Sequence, residues 1–188
     1  MARQTLYTAE DLERLSAEGK RHELVRGELV ERPPTNWQHG RVTMRLSNRL
    51  ATFVEKHALG EVVAAETGFL ISRNPDTVRA PDFAFVRKDR VPDNPNEVVF
   101  AALAPDLVVE VASPSQTFSY LQTKVQDWLD AGVRLAWVVL PERRSIAVYT
   151  PRTHLFLYEG DVLDGGTVLP GFSCPLEDIF KNDGTAGR

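Results

Sequence analysis

Three side chains stand out by type and position: Asp82 directly after Pro81, Glu110 inside the run Leu107-Val108-Val109-Glu110-Val111, and Lys124 beyond it. A carboxylate in the middle of an apolar strand loses most of its hydration, and buried carboxylates occur where they are paired or bind a metal. Strand side chains alternate, so Asp106, Val108, Glu110 and Ala112 share one face, and Leu107, Val109 and Val111 the other. If Asp82 ends a neighbouring strand, it can meet Glu110 within a metal radius. With the carbonyl of Val111 and water, the two acids would fill most of an octahedral shell suited to Mg²⁺ or Mn²⁺. Such an ion lowers the pKa of a bound water and stabilises charge developing on a phosphate, which points to phosphodiester cleavage. The long stem of Lys124 could carry an ammonium over the sheet end, to orient water or hold a phosphate oxygen. Lys124 and Trp128 are four apart and share a helix face.

Each residue also has a plainer reading. Asp82 after a proline suits a strand-edge turn, and Glu110 could be ion-paired with a buried Arg or with Lys124 itself. Lys124 is one of five lysines, a residue type that is ordinarily solvated. Asp106 suits the turn that begins its strand and is only a reserve ligand. The three tryptophans, Trp37, Trp128 and Trp137, are most simply core or subunit-interface aromatics.

These residues need elements to hold them. Thr8 with Glu10 and Asp11 predicts the start of a short helix ending near Gly19. His22 to Glu31, turning at Arg26-Gly27, reads as a hairpin that Pro33-Pro34 stops. Asn36 is placed to cap a long helix whose apolar stripe is Val42, Leu46, Leu50, Phe53, Val54 and His57. His39 lies on that stripe, and Gly60 suits the position just past the helix end. Glu61 to Ser72 reads as one strand or two, Val78 to Arg87 as a strand containing Pro81-Asp82, and Pro92 to Asn96 as a loop. Asp106 to Ala112, a helix over 117–131 stopped by Gly132, and Arg134 to Leu140 make a βαβ crossover. Ser145 to Thr150 and Leu155 to Tyr158 read as an antiparallel pair. Thr167 to Leu169 reads as a weak strand, and Pro175 to Phe180 as a closing helical turn. The fold class is therefore α/β, a mixed central β-sheet flanked by helices, in a single domain spanning 1–188 with a loose tail at 182–188.

Composition narrows the function classes. Of 188 residues, 43% are hydrophobic and 26% charged, the profile of a globular chain with a full core. Apolar runs are too short to span a membrane, and the first residues lack an apolar leader core, so a cytoplasmic location is expected. The lone Cys174 excludes an intramolecular disulfide and a cysteine-based zinc site. A net charge of -4 counts against a generic nucleic-acid coat, but leaves room for a nuclease whose metal offsets its own acids. Arg14, Arg21, Arg26, Arg41, Arg45 and Arg49 crowd the first 50 residues; most read as solvated, although arginine can fork onto phosphate.

Pro81-Asp82 followed by Glu110-Val-Ala112 resembles the PD-(D/E)XK nuclease motif. The wider pattern resembles the Uma-type restriction endonuclease family of that superfamily. The matching pieces are Glu23-Leu-Val-Arg-Gly27-Glu-Leu, His39, Pro81 to Val86, Pro105 to Ser115, Lys124, Gly132-Val133 before Trp137-Val-Val139, and Leu169-Pro-Gly-Phe172 before the closing Leu-Glu-Asp-Ile-Phe180. They cover roughly residues 8 to 180. The resemblance implies a restriction-endonuclease-like core and metal-dependent DNA cleavage. Asp82 and Glu110 would be metal ligands, Lys124 the catalytic lysine, Glu23 an accessory acid, and His39 a substrate contact near the mouth. The plain motif places lysine two residues after the acid, where this chain has Ala112, so the lysine would have migrated to the helix.

The leading expectation is a Mg²⁺- or Mn²⁺-dependent endonuclease acting on DNA, as a homodimer or higher homo-oligomer because two strands need two sites. The alternative is a nuclease-fold DNA-binding or regulatory protein with weak or no cleavage, favoured by the acidic charge and by Ala112. A glycosidase using Asp82 and Glu110 as acid and base is a third reading, without an aromatic-rich sugar-binding stretch to support it.

Overall fold

The computed structural model describes residues 6–181; the expected tail at 182–188 lies outside them. The elements in chain order are α1 (Ala9–Ala17), β1 (His22–Val25), β2 (Glu28–Glu31), α2 (Trp37–Lys56), β3 (Gly60–Ala64), β4 (Gly68–Ser72), β5 (Thr77–Arg79), β6 (Phe83–Arg87) and β7 (Phe100–Ala101). There follow β8 (Leu107–Val111), α3 (Phe118–Asp130), β9 (Leu135–Leu140), β10 (Ser145–Tyr149), β11 (His154–Leu157), β12 (Val162–Asp164), β13 (Ser173–Pro175) and α4 (Leu176–Phe180).

Local chemistry starts the helices where expected. Thr8 closes a capping box with Asp11 at α1, the Asn36 side chain accepts the His39 N–H at 2.9 Å, and Thr117 accepts the Tyr120 N–H at 3.2 Å. Each cap satisfies one of the donors a helix start leaves open.

The expected mixed sheet flanked by helices is present, and a second sheet accompanies it. The six-stranded sheet runs β11-β10-β9-β8-β6-β3 and the five-stranded sheet β2-β1-β5-β4-β7, while β12 and β13 pair by themselves. The expected crossover is present: β8 pairs with β9 in parallel, Glu110 opposite Val138, with α3 between them. Alternation sorts the core. Leu107, Val109 and Val111 face α2 with Val42, Leu46, Leu50 and Val54. Val108 joins Leu121, Val125 and Trp128 of α3 on the other face. A third cluster holds α1 against the smaller sheet through Leu12, Leu24 and Val78.

Three expectations change. The run Val78 to Arg87 is not one strand: β5 belongs to the smaller sheet and β6 to the larger, and the chain passes between them at Ala80-Pro81-Asp82. Proline has no N–H to continue a ladder, so the break falls there. Gly60 does not end α2; Ala58 takes the left-handed conformation (φ 50) and Gly60 opens β3. A Cβ on Gly60 would stand 2.1 Å from the Val86 carbonyl oxygen, so glycine serves strand contact there. Thr167 to Leu169 is a turn with Thr167 exposed and Val168 and Leu169 buried, and the hairpin strands β12 and β13 lie on either side of it. A short apolar run reads alike as strand or packed loop.

Candidate active site

The passage from β5 to β6 is where the candidate residues gather. The Ala80 N–H donates to Glu23 Oε1 at 3.0 Å, so the first strand of the smaller sheet is tied to this passage. The Asp82 N–H donates to the Val109 carbonyl at 3.1 Å, and the Val111 N–H donates back to Asp82 Oδ2 at 2.6 Å. Asp82 is thus clamped to the end of β8, one residue from Glu110.

Lys124 joins the parts. Its Nζ lies 2.8 Å from Glu110 Oε2 and 3.0 Å from Glu23 Oε1, and donates to the Ala80 carbonyl at 3.3 Å. An ammonium has three protons; it donates to Glu110 and to the Ala80 carbonyl, and Glu23 lies at ion-pair distance. The second oxygen of Glu110 accepts the indole N–H of Trp128 at 2.9 Å. Because β8 alternates, Glu110 points to the α3 face, where Lys124 and Trp128 lie one turn apart. Side-chain exposure is 1% for Lys124 and Glu23 and 3% for Glu110, so this network is dry.

Arginines complete it. Arg79, from β5, gives Glu23 Oε2 a bond of 2.8 Å and also pairs with Asp127 of α3. Arg32, just past β2, donates to Glu23 Oε1 at 2.8 Å and stands 3.8 Å from Asp82 Oδ1. Arg32 keeps 29% of its side chain exposed and faces solvent beside the acids. His39 is buried; its Nε2 lies 3.3 Å from Asp82 Oδ2.

The charges set proton affinities. Burial alone would raise Glu23, but Lys124, Arg32 and Arg79 outweigh it and hold its carboxyl at about 2. Burial also opposes the Asp82 charge, yet the His39 contact, Lys124 and the Val111 N–H keep it below the usual carboxylate range. Burial drives Glu110 the other way and wins over Lys124, aided by the charges of Asp82 and Glu23. Lys124 is raised: burial disfavours its charge, and Glu110 with Glu23 more than restore it. Glu110 is therefore the acid in this cluster that holds a proton most readily.

The donor chemistry fits a hard divalent cation. Asp82 and Glu110 are oxygen donors, and each Glu110 oxygen has one hydrogen-bond partner and keeps a second lone pair. The arrangement itself is ammonium-bridged: among the described residues no three His, Cys, Asp or Glu side chains converge on one ion.

All five side chains singled out in the sequence, Glu23, His39, Asp82, Glu110 and Lys124, stand in this one network. Val111 enters through its N–H to Asp82; its carbonyl is the ligand expected above. The reserve acid Asp106 does not join them: it sits at the other end of β8, held by Arg134 at 2.7 Å, Arg90 at 3.0 Å and the Arg87 N–H at 2.9 Å. Arg32, Arg79 and the indole of Trp128 are parts the sequence reading did not assign. Arg79 carried the same signal as Glu110, a charge inside the apolar run Val78-Arg79-Ala80. Arg32 has no such signal, because only the packing of the two sheets brings it back to the acids.

No curated protein sequence matches the chain. Among solved structures, the chain is similar to the crystal structure of "a putative nuclease belonging to DUF820" from Anabaena variabilis ATCC 29413. The TM-score is 0.76 at 17% identity, over 85% of this chain and 89% of that one. At that identity the likeness shows the fold, an α/β core of the restriction-endonuclease type. The family model Uma2, described as "Putative restriction endonuclease", matches residues 9–177, a span that holds every residue of the network, and the chain belongs to that family.

Proposed function

We propose that this chain is a divalent-metal-dependent endonuclease that hydrolyses phosphodiester bonds in DNA, working at the network of Glu23, Asp82, Glu110 and Lys124. The observation that carries this reading is the convergence of Glu23, from the smaller sheet, and Glu110, from the larger, on the Lys124 ammonium, with the buried Asp82 clamped to the Val111 N–H beside them after Pro81. Asp82, Glu110 and the Val111 carbonyl would hold Mg²⁺ or Mn²⁺. Such an ion, when bound, lowers the pKa of an attacking water and offsets charge on the phosphate.

The protein's own groups do the rest. Lys124 stays charged between two carboxylates, so it acts as a fixed positive group toward a phosphate oxygen rather than as a base. Glu23 holds that ammonium in place as the accessory acid. The exposed edge of Arg32 offers a planar fork to the phosphate. His39 orients the Asp82 carboxylate through Nε2 and stands on the substrate side of it. Where both strands of a DNA are cut, two copies are required, and a homodimer is then the working assembly. Among the described residues no helix is long and apolar enough to cross a membrane.

One observation favours a second reading. Lys124 is already enclosed by Glu110, Glu23 and the Ala80 carbonyl inside a dry site, the pattern of a structural ion network in a weakly active or inactive DNA-binding protein. Glu23, a third buried acid in the same network as Asp82 and Glu110, speaks against a two-carboxylate glycosidase. The discriminating experiment is plasmid nicking with Mg²⁺ or Mn²⁺, comparing wild type with Glu110→Ala. Cleavage that needs metal and vanishes in the variant supports the nuclease; no cleavage of any DNA form by folded wild type leaves the binding protein.

A further inference from the structure

Trp128 and Trp137 are wholly buried, whereas Trp37, the first residue of α2, is 86% exposed. Large aromatics left in water forgo a sizeable burial gain. Trp37 is not isolated. Gly40 and Met44 follow it at three- and four-residue steps, Met44 is also exposed, and Arg41 stands on the same stripe. A Cβ on Gly40 would meet nothing, so the backbone is bare between the two apolar side chains.

Charge narrows what covers this stripe. The chain is net -4, yet α2 from Trp37 to Val54 carries Arg41, Arg45 and Arg49 and no acid, Arg49 pairing with Asp178 of α4 at 3.2 Å. The helix dipole adds positive potential at the Trp37 end. A second copy packed across a two-fold axis would set these arginines against their own images. An anionic partner with flat π-faces suits the stripe, and a nucleic-acid strand is that chemistry. In a duplex the base faces are already stacked, so only an unpaired base can offer its face to an indole.

Position ties the stripe to the network. Asn36 caps α2 through the His39 N–H, and His39 reaches Asp82. Trp37 projects from the same first turn, on the far side of the helix from His39. A helix diameter of about 10–12 Å corresponds to about three stacked nucleotides at about 3.4 Å each.

We infer that Trp37 stacks on an unpaired nucleobase about three nucleotides from the phosphate held at Asp82 and Glu110, which makes single-stranded or locally unpaired DNA the substrate class. The inference rests on the nuclease reading for the position of that phosphate. Trp37 is a positioning residue, and its own emission reports it, because the other two indoles are buried.

The test is titration of the full chain with an oligothymidylate of about 20 nucleotides, in EDTA and at low salt, following tryptophan emission. The expected result is quenching on binding. Trp37→Ala should bind about tenfold more weakly or worse, and Trp37→Phe should keep most of the affinity. A blunt duplex should bind without quenching. Strand binding with unchanged emission, Trp37→Ala binding as tightly as wild type, or no binding of any DNA would each overturn the inference. A shift of emission with protein concentration alone would show that a second copy covers the stripe, and would overturn it too. The two readings fail separately: quenching without cleavage in Mg²⁺ removes the nuclease and keeps the stacking, while cleavage without quenching does the reverse.

Discussion

Replacing Lys124 with methionine tests the dry network directly. The ammonium is 1% exposed and lies within 3.0 Å of Glu23 and 2.8 Å of Glu110, so its loss strands two buried carboxylates. Removing one partner of a buried ion pair costs about 3–5 kcal/mol. Among the described residues, Glu23 keeps Arg32 and Arg79, and Glu110 keeps only the Trp128 N–H as a hydrogen-bond partner. The cost therefore falls mainly on Glu110, whose carboxyl burial already raises. In the variant Glu110 escapes by protonating. A raised folded-state pKa gives stability that is present below the unfolded value and lost as pH rises through the folded one. Urea unfolding followed by circular dichroism should show Lys124→Met about 3–5 kcal/mol less stable than wild type at neutral pH, with the deficit shrinking toward the unfolded carboxyl range. Adding Glu110→Leu should recover most of the loss, because an apolar pair replaces an ionic one. A neutral-pH deficit below about 1 kcal/mol, the value of an exposed pair, or one independent of pH, would refute the dry pairing.

Two further outcomes follow from the same charges. Lys124, Arg32 and Arg79 hold Glu23 at about 2, well below the usual glutamate range, so its contribution is present above the unfolded value and lost as pH falls toward about 2; Glu23→Gln should be less stable than wild type at neutral pH, and the gap should close over that acid window in unfolding titrations. Asp106→Asn should cost about 2 kcal/mol of stability by loosening Arg134, Arg90 and the Arg87 N–H, while leaving oligothymidylate binding unchanged; a loss of binding in a folded Asp106→Asn protein would contradict its placement away from the site.

Individual residues show how far the sequence could be read. Glu110 was visible because an ionised group in an apolar strand demands a partner, and the alternation of β8 told which face it takes. Lys124 and Trp128 were visible as one helix face. Caps at Thr8, Asn36 and Thr117 were visible because hydroxyl and amide side chains satisfy open N–H groups over three residues. The split between β5 and β6 was not. Pro81 marks a break in any strand, but only sheet pairing says that the chain changes sheets there.

Local pattern thus determined the α/β character, the βαβ unit and the residue types of the site, because periodicity and capping act within a few neighbours. Tertiary structure alone decided that Glu23 and Arg32 return to Lys124, that Asp106 is caged far from Glu110, and that His39 reaches Asp82. Those contacts join residues far apart in the chain, and their geometry follows from how two sheets and two helices pack, which no local pattern encodes.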